Sequence, residues 1–127
     1  MKHELEKPSF ERSDARGTLI EVRNRGPWET IITGEMKAGA VMGNHYHRKT
    51  SVFFFLLSGQ ARVDVVDVQS GERDAFDLPP GRGVLLRPQQ SHAIRFRQDA
   101  RYLLLKDLRY DPQDPDTFDH PVPEAHA

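Results

Sequence analysis

Val41-Met42-Gly43-Asn44-His45-Tyr46-His47, followed after a short polar spacer by Val52-Phe53-Phe54-Phe55-Leu56-Leu57 and then Ser58-Gly59, decides how this chain folds. Two β-rich runs closed by turn residues read as successive strands. Side chains alternate across a strand with period two, so His45 and His47 share one face while Tyr46 points away. Two neutral imidazoles on one face can bind a divalent metal or move protons near neutral pH; the plainer alternative is a pair of surface histidines at a strand end. His92, on a strand-like run far downstream, adds weight to the site reading.

Outward from this stretch, helix signals are scarce, because nine glycines and nine prolines break the chain at short intervals and no segment keeps a three-and-four apolar spacing. Short runs read as strands instead: Thr18 to Val22, Trp28 to Ile32, Val41 to His47, Val52 to Leu57, the alternating Ala61 to Val65, Asp74 to Leu78, Val84 to Arg87, His92 to Arg97 and Arg101 to Leu105. The alternation slips at Val66-Asp67-Val68, which a bulge or burial on both faces would explain. Roughly nine strands with tight turns predict an all-β, single-domain jelly-roll barrel or sandwich. Closure of such a barrel gives a lined interior and a mouth for a small molecule. The expected division is an N-terminal arm over 1–9, the β domain over 10–118 and a flexible tail over 119–127.

Composition narrows the chemistry. The 127 residues suit one domain with a real core. Without cysteine there is neither disulfide nor thiolate, so any metal must be held by His, carboxylate, amide or water. Lys and Arg number 18 against 19 acidic residues, a formal charge of -1, which argues against nucleic-acid or anionic-membrane partners. No apolar run is long enough to span a bilayer and Met1 to Lys7 lacks a signal-peptide pattern, so the expected location is cytoplasmic.

His92 shares a face with Ile94 and Phe96; if those line the interior, His45, His47 and His92 enter one cavity and suffice for a three-ligand metal site with open positions. His3, His120 and His126 lie in terminal segments and are poor candidates. Gly39, His45-x-His47 and Gly59 resemble the first cupin motif, and Gly83, Pro88 and His92 a shortened second motif. The glutamate that the cupin pattern places seven residues after the first histidine is replaced by Val52, and Gln90 stands at or beside the expected glycine, where it reads as a turn residue. Asp14-Ala15-Arg16-Gly17-Thr18-Leu19-Ile20-Glu21 resembles the opening of nucleotide-sugar 3,5-epimerase and 3,4-ketoisomerase cupins. Gly43 to His47 and Tyr110-Asp111-Pro112-Gln113-Asp114-Pro115-Asp116-Thr117-Phe118 resemble the cupin domain of capsular polysaccharide enzymes that epimerise a UDP-keto-sugar.

The resemblance implies an epimerase or isomerase of a nucleotide-linked keto sugar. Such chemistry needs a base near pH 7, for which His45 and His47 are the candidates, and a group that stabilises the enolate. A divalent metal on His45, His47 and His92 would serve, with Zn, Ni, Fe and Mn not distinguished; no organic cofactor is expected. Arg16 and Arg87 are candidates for sugar or diphosphate contacts, whereas Arg95 and Arg97 read as ordinary salt bridges. Val52 to Leu57 is apolar on both faces, which suggests cover by a second subunit and a homodimer. Loss of the glutamate keeps two alternatives open: a non-catalytic small-ligand or metal-binding cupin, and a three-His metal-dependent dioxygenase.

Overall fold

Alternating apolar residues and frequent turn residues leave the chain little choice but extended structure, and the computed structural model, which describes residues 1–125, contains no helix among them. Eleven strands form: β1 (Phe10–Asp14), β2 (Gly17–Glu21), β3 (Thr30–Met36), β4 (Val41–Tyr46), β5 (Val52–Ser58), β6 (Ala61–Asp67), β7 (Arg73–Leu78), β8 (Arg82–Leu86), β9 (Gln90–Phe96), β10 (Ala100–Lys106) and β11 (Phe118–Asp119). β1 and β2 make a separate hairpin; β3-β10-β5-β8 and β11-β4-β9-β6-β7 form two facing sheets in which every pairing is antiparallel. The all-β jelly roll expected from the turn spacing is present. Its two additional strands are β1 and β11, which lie outside the main apolar periodicity.

Between the sheets, Phe54, Leu56, Val63, Val65, Leu86, Ile94 and Phe96 make a dry core. The rings of Phe54 and Tyr102 stack within it at 5.4 Å between centroids. The opposite face of β5 is also dry: Phe53 and Phe55 pack with Leu105 beneath Val22 and Trp28, on the connection between β2 and β3. The Arg23 guanidinium closes that layer, 4.4 Å above the Phe53 ring. Double-sided burial of Val52 to Leu56 is therefore achieved within one chain, and the sequence-based reason for a covering subunit is corrected.

The slip at Val66-Asp67-Val68 is neither a bulge nor double burial. β6 keeps regular register with β7 and β9 through Val66, then ends at Asp67, whose carboxylate accepts from Gln69 N and Ser70 N at 2.9 Å each. The N-terminal arm is tied down through Glu6, whose backbone pairs with Gly83, and through His3, whose N–H groups reach Asp74. Residues 119–125, expected as a loose tail, are instead strapped across the second sheet. Val122 is 1 % exposed, its N–H donates to Asn44 Oδ1 and its carbonyl accepts from Arg95 Nη2. Ala125 N donates to the fully buried Asp64 carboxylate, which also receives Arg95 Nη1 at 2.9 Å. Among the described residues no helix is long and apolar enough to cross a membrane.

Candidate active site

The site is built on an irregularity in β4. Met42 opposes Ile94 and Gly43 opposes Ala93, but the next pair is His45 with His92, so Asn44 is an extra residue in a β-bulge. Gly43 and Asn44 both have positive φ, 98° and 56°. A Cβ on Gly43 would lie 2.5 Å from the His92 carbonyl oxygen, so this position admits only glycine without rearrangement. The bulge shifts the phase of the strand: Met42 faces inward, and the extra residue then turns His45 and His47 inward as well. His45 and His92 sit directly across from one another and share a face.

His47 lies just beyond the end of β4 and is held by the C-terminal segment. Its Nδ1–H donates to the Asp116 carbonyl at 2.5 Å, and the Asp116 carboxylate gathers the N–H groups of Arg48, Lys49 and Thr50. Burial alone would raise the pKa of Asp116, but these donors and the Thr50 hydroxyl outweigh it and hold the group below the usual carboxylate value. Tyr46 faces outward, as its alternation predicts, and stacks on Phe118 at 5.4 Å, its partner across β11. The Asp111 to Phe118 motif thus acts through geometry, as a strap that fixes the His47 ring.

The three imidazoles converge. Ring centroids lie 5.0 Å apart for His45–His47, 5.0 Å for His45–His92 and 6.0 Å for His47–His92, and one ring nitrogen from each falls within 4.8 Å of the others. His92 Nδ1–H points at the Gln90 carbonyl, 3.2 Å away, so both His47 and His92 turn Nε2 toward the cavity with its lone pair free. No hydrogen bond from a described residue fixes the His45 ring. Burial, the His47 charge and Lys106 push His45 down to about 4, against Asp119, which raises it. Burial and His45 push His92 down to about 3, and burial lowers His47 as well, against the pull of the Asp116 carbonyl. All three are neutral at pH 7 and able to accept a proton or donate a lone pair.

These rings open into a cavity of about 160 Å³ whose other walls include Met42, Val52, Leu86, Ile94, Tyr102 and Leu104. Lys106, at the end of β10, lines it too, on the face it shares with Tyr102 and Leu104. Beyond lies an outer pocket of about 240 Å³ bordered by Lys49, Arg109, Tyr110 and Asp114; His47 and Lys106 border both spaces. Arg16 does not reach this site. It sits at the tip of the β1–β2 hairpin, 81 % exposed and paired with Asp14 at 2.8 Å. Arg87 is also elsewhere, in a surface hollow beside Lys2 and Arg25. Arg95 and Arg97 are salt-bridged, to Asp64 and Glu124. His3 is engaged by Asp74 and His120 lies beside Tyr46, both outside the cavity, and His126 lies outside the described residues. The left-handed residue before β9 is Gln89 (φ 69°), whereas Gln90 begins the strand. Lys106 was missed in the sequence because the strand was closed at Leu105; one more step of alternation places it inward.

Residues 12–118 match the family described as "Polysaccharide biosynthesis C-terminal domain". The chain belongs to that family. Solved structures agree on the fold of this polysaccharide biosynthesis domain, a cupin. The capsular polysaccharide assembling protein CapF of Staphylococcus aureus is similar with a TM-score of 0.69 and 21 % identity, over 92 % of this chain and 33 % of CapF, so the chain spans about a third of that protein. A 3,4-ketoisomerase from Helicobacter canadensis matches with a TM-score of 0.76 and 18 % identity, over 92 % of this chain and 90 % of that one. A variant of the 3,4-ketoisomerase QdtA from Thermoanaerobacterium thermosaccharolyticum, solved in complex with TDP-4-keto-6-deoxyglucose, matches with a TM-score of 0.74 and 17 % identity, over 93 % and 87 % of the two chains. A search of curated proteins by sequence found no match.

Proposed function

We propose that this cupin is an epimerase or isomerase of a nucleotide-linked keto sugar, with His45 as the base that removes a proton beside the ketone. The observation that carries the reading is the inward cluster of three neutral imidazoles, of which His47 and His92 are fixed by backbone carbonyls while His45 is not. Each ring can take up a proton on its cavity nitrogen without breaking a structural bond, and His45 is the one of the three that is not fully buried, where a substrate can reach it. Membership of the polysaccharide biosynthesis family and likeness to ketoisomerases support the substrate class. The cavity holds a sugar ring's worth of space, and the outer pocket offers the Arg109 guanidinium to the diphosphate, beside a Lys49 that is paired with Asp114.

Three neutral imidazoles, each with a ring nitrogen turned to the cavity, suit a divalent ion by donor type and number. The charge does not suit it: among the described residues no carboxylate lines the cavity, Val52 offers no ligand atom, and Lys106 brings a positive charge. A homodimer belongs to the same reading, supported by the apolar side chains that the β1–β2 hairpin exposes, Phe10, Leu19 and Ile20; sedimentation should give twice the chain mass, and a single-chain mass would remove it.

The decisive experiment incubates the protein in heavy water with dTDP-4-keto-6-deoxyglucose and, separately, a UDP-4-keto-hexose. Deuterium should enter the carbons flanking the ketone, and His45→Gln should slow the exchange by about 10²–10⁴-fold. No deuterium from either sugar would overturn the reading.

A further inference from the structure

Among the described residues, Lys106 is the only cation lining the histidine cavity. Its side chain forms no ion pair with any described residue. An ammonium on an inward face is normally matched by a carboxylate, because leaving it unmatched where water is scarce is costly. Here its cross-strand neighbours are Val52 and Thr30, and it is half-buried where the cavity meets the outer pocket. Nothing in the packing explains why a lysine stands there; an oxygen of a bound molecule would.

We propose that the Lys106 ammonium is the electrophile of this cavity, holding the ketone oxygen of the substrate, and that the same charge keeps divalent metal off the three imidazoles. The first half rests on the keto-sugar reading; the second does not. As an imidazole Nε2 takes the proton from the carbon beside the ketone, the C–H electron pair becomes the enolate double bond. The carbonyl π pair then moves onto oxygen, where the Lys106 charge meets it, and return of the proton to either face of the carbon completes the cycle with no oxidant or reductant. A metal would supply the same stabilisation, and a lysine and a dication compete for one position through plain Coulomb repulsion.

The test compares the native protein with Lys106→Met, which keeps the unbranched apolar stem and removes the ammonium, and Lys106→Arg, which keeps the charge, after thermal unfolding confirms that each is folded. Titration with Co(II), followed by its visible absorption, should show Lys106→Met binding about tenfold tighter or more than the native protein, with Lys106→Arg unchanged. In the deuterium-exchange assay Lys106→Met should lose about 100-fold in kcat with little change in KM, partly restored in Lys106→Arg. Equal cobalt affinity in the native and Met proteins overturns the charge-exclusion half, and an undiminished kcat in Lys106→Met overturns the electrophile half. If the native protein exchanges no deuterium, the keto-sugar reading and the electrophile half fall together, while the cobalt titration still decides whether the ammonium guards the imidazoles.

Discussion

At the residue scale the site depends on Gly43 more than its lack of a side chain suggests. It permits the bulge that turns His45 inward, and its φ of 98° and the nearby His92 carbonyl leave no room for a Cβ. Gly43→Ala should therefore cost about 2 kcal/mol or more in urea unfolding, through positive-φ strain and displaced β9 backbone. A change under about 0.5 kcal/mol would mean that the bulge relaxes freely. The sequence showed the histidines but not the device that aims them. Simple alternation placed His45 and His47 together, yet the inward direction follows from the extra residue Asn44, and a Gly-Asn pair inside a strand was the available sign.

At the scale of elements, the strands of the two main sheets were legible because β5, β6, β9 and β10 carry long apolar or alternating runs. β1 and β11 were not, since β1 is exposed throughout and β11 has only two residues. The terminal strap was hidden for the same reason: its hold comes from hydrogen bonds to Asn44, Asp64 and Arg95, which have no periodicity. Arg16 and Arg87 stand outside the cavity of their own chain, because a guanidinium's chemistry is readable from sequence but its position in space is not. A chain ending at Asp119 should unfold at lower urea, by about 2–4 kcal/mol, from the lost burial of Val122 and the lost partners of a buried Asp64–Arg95 pair. An unchanged midpoint would show that the strap adds nothing to stability.

For the molecule as a whole, the histidine cluster links folding to acidity. Imidazoles in the unfolded chain take up protons near 6.5, whereas His45 and His92 in the folded chain do so only near about 4 and about 3. Between those values the unfolded state binds more protons, so stability is complete above about pH 6.5 and falls as the pH drops through that window. The urea midpoint should be lower at pH 5 than at pH 7.5, and replacing His45 and His92 with Gln should flatten the dependence. A midpoint that holds steady or rises on acidification would contradict the neutral, desolvated state of the cluster.

The order of the pairings carries a further consequence. Thr33 and Tyr102, joined across β3 and β10, stand 69 residues apart, as do His47 and the Asp116 carbonyl that orients it. Closures over such spans are slow, so the oily run from Val52 to Leu56 waits on the ribosome for β8 and β10, with its sticky faces unclothed. The same run that makes the core so dry is thus the segment through which newly made chains would clump, and yield at high expression depends on how quickly the later strands arrive to cover it.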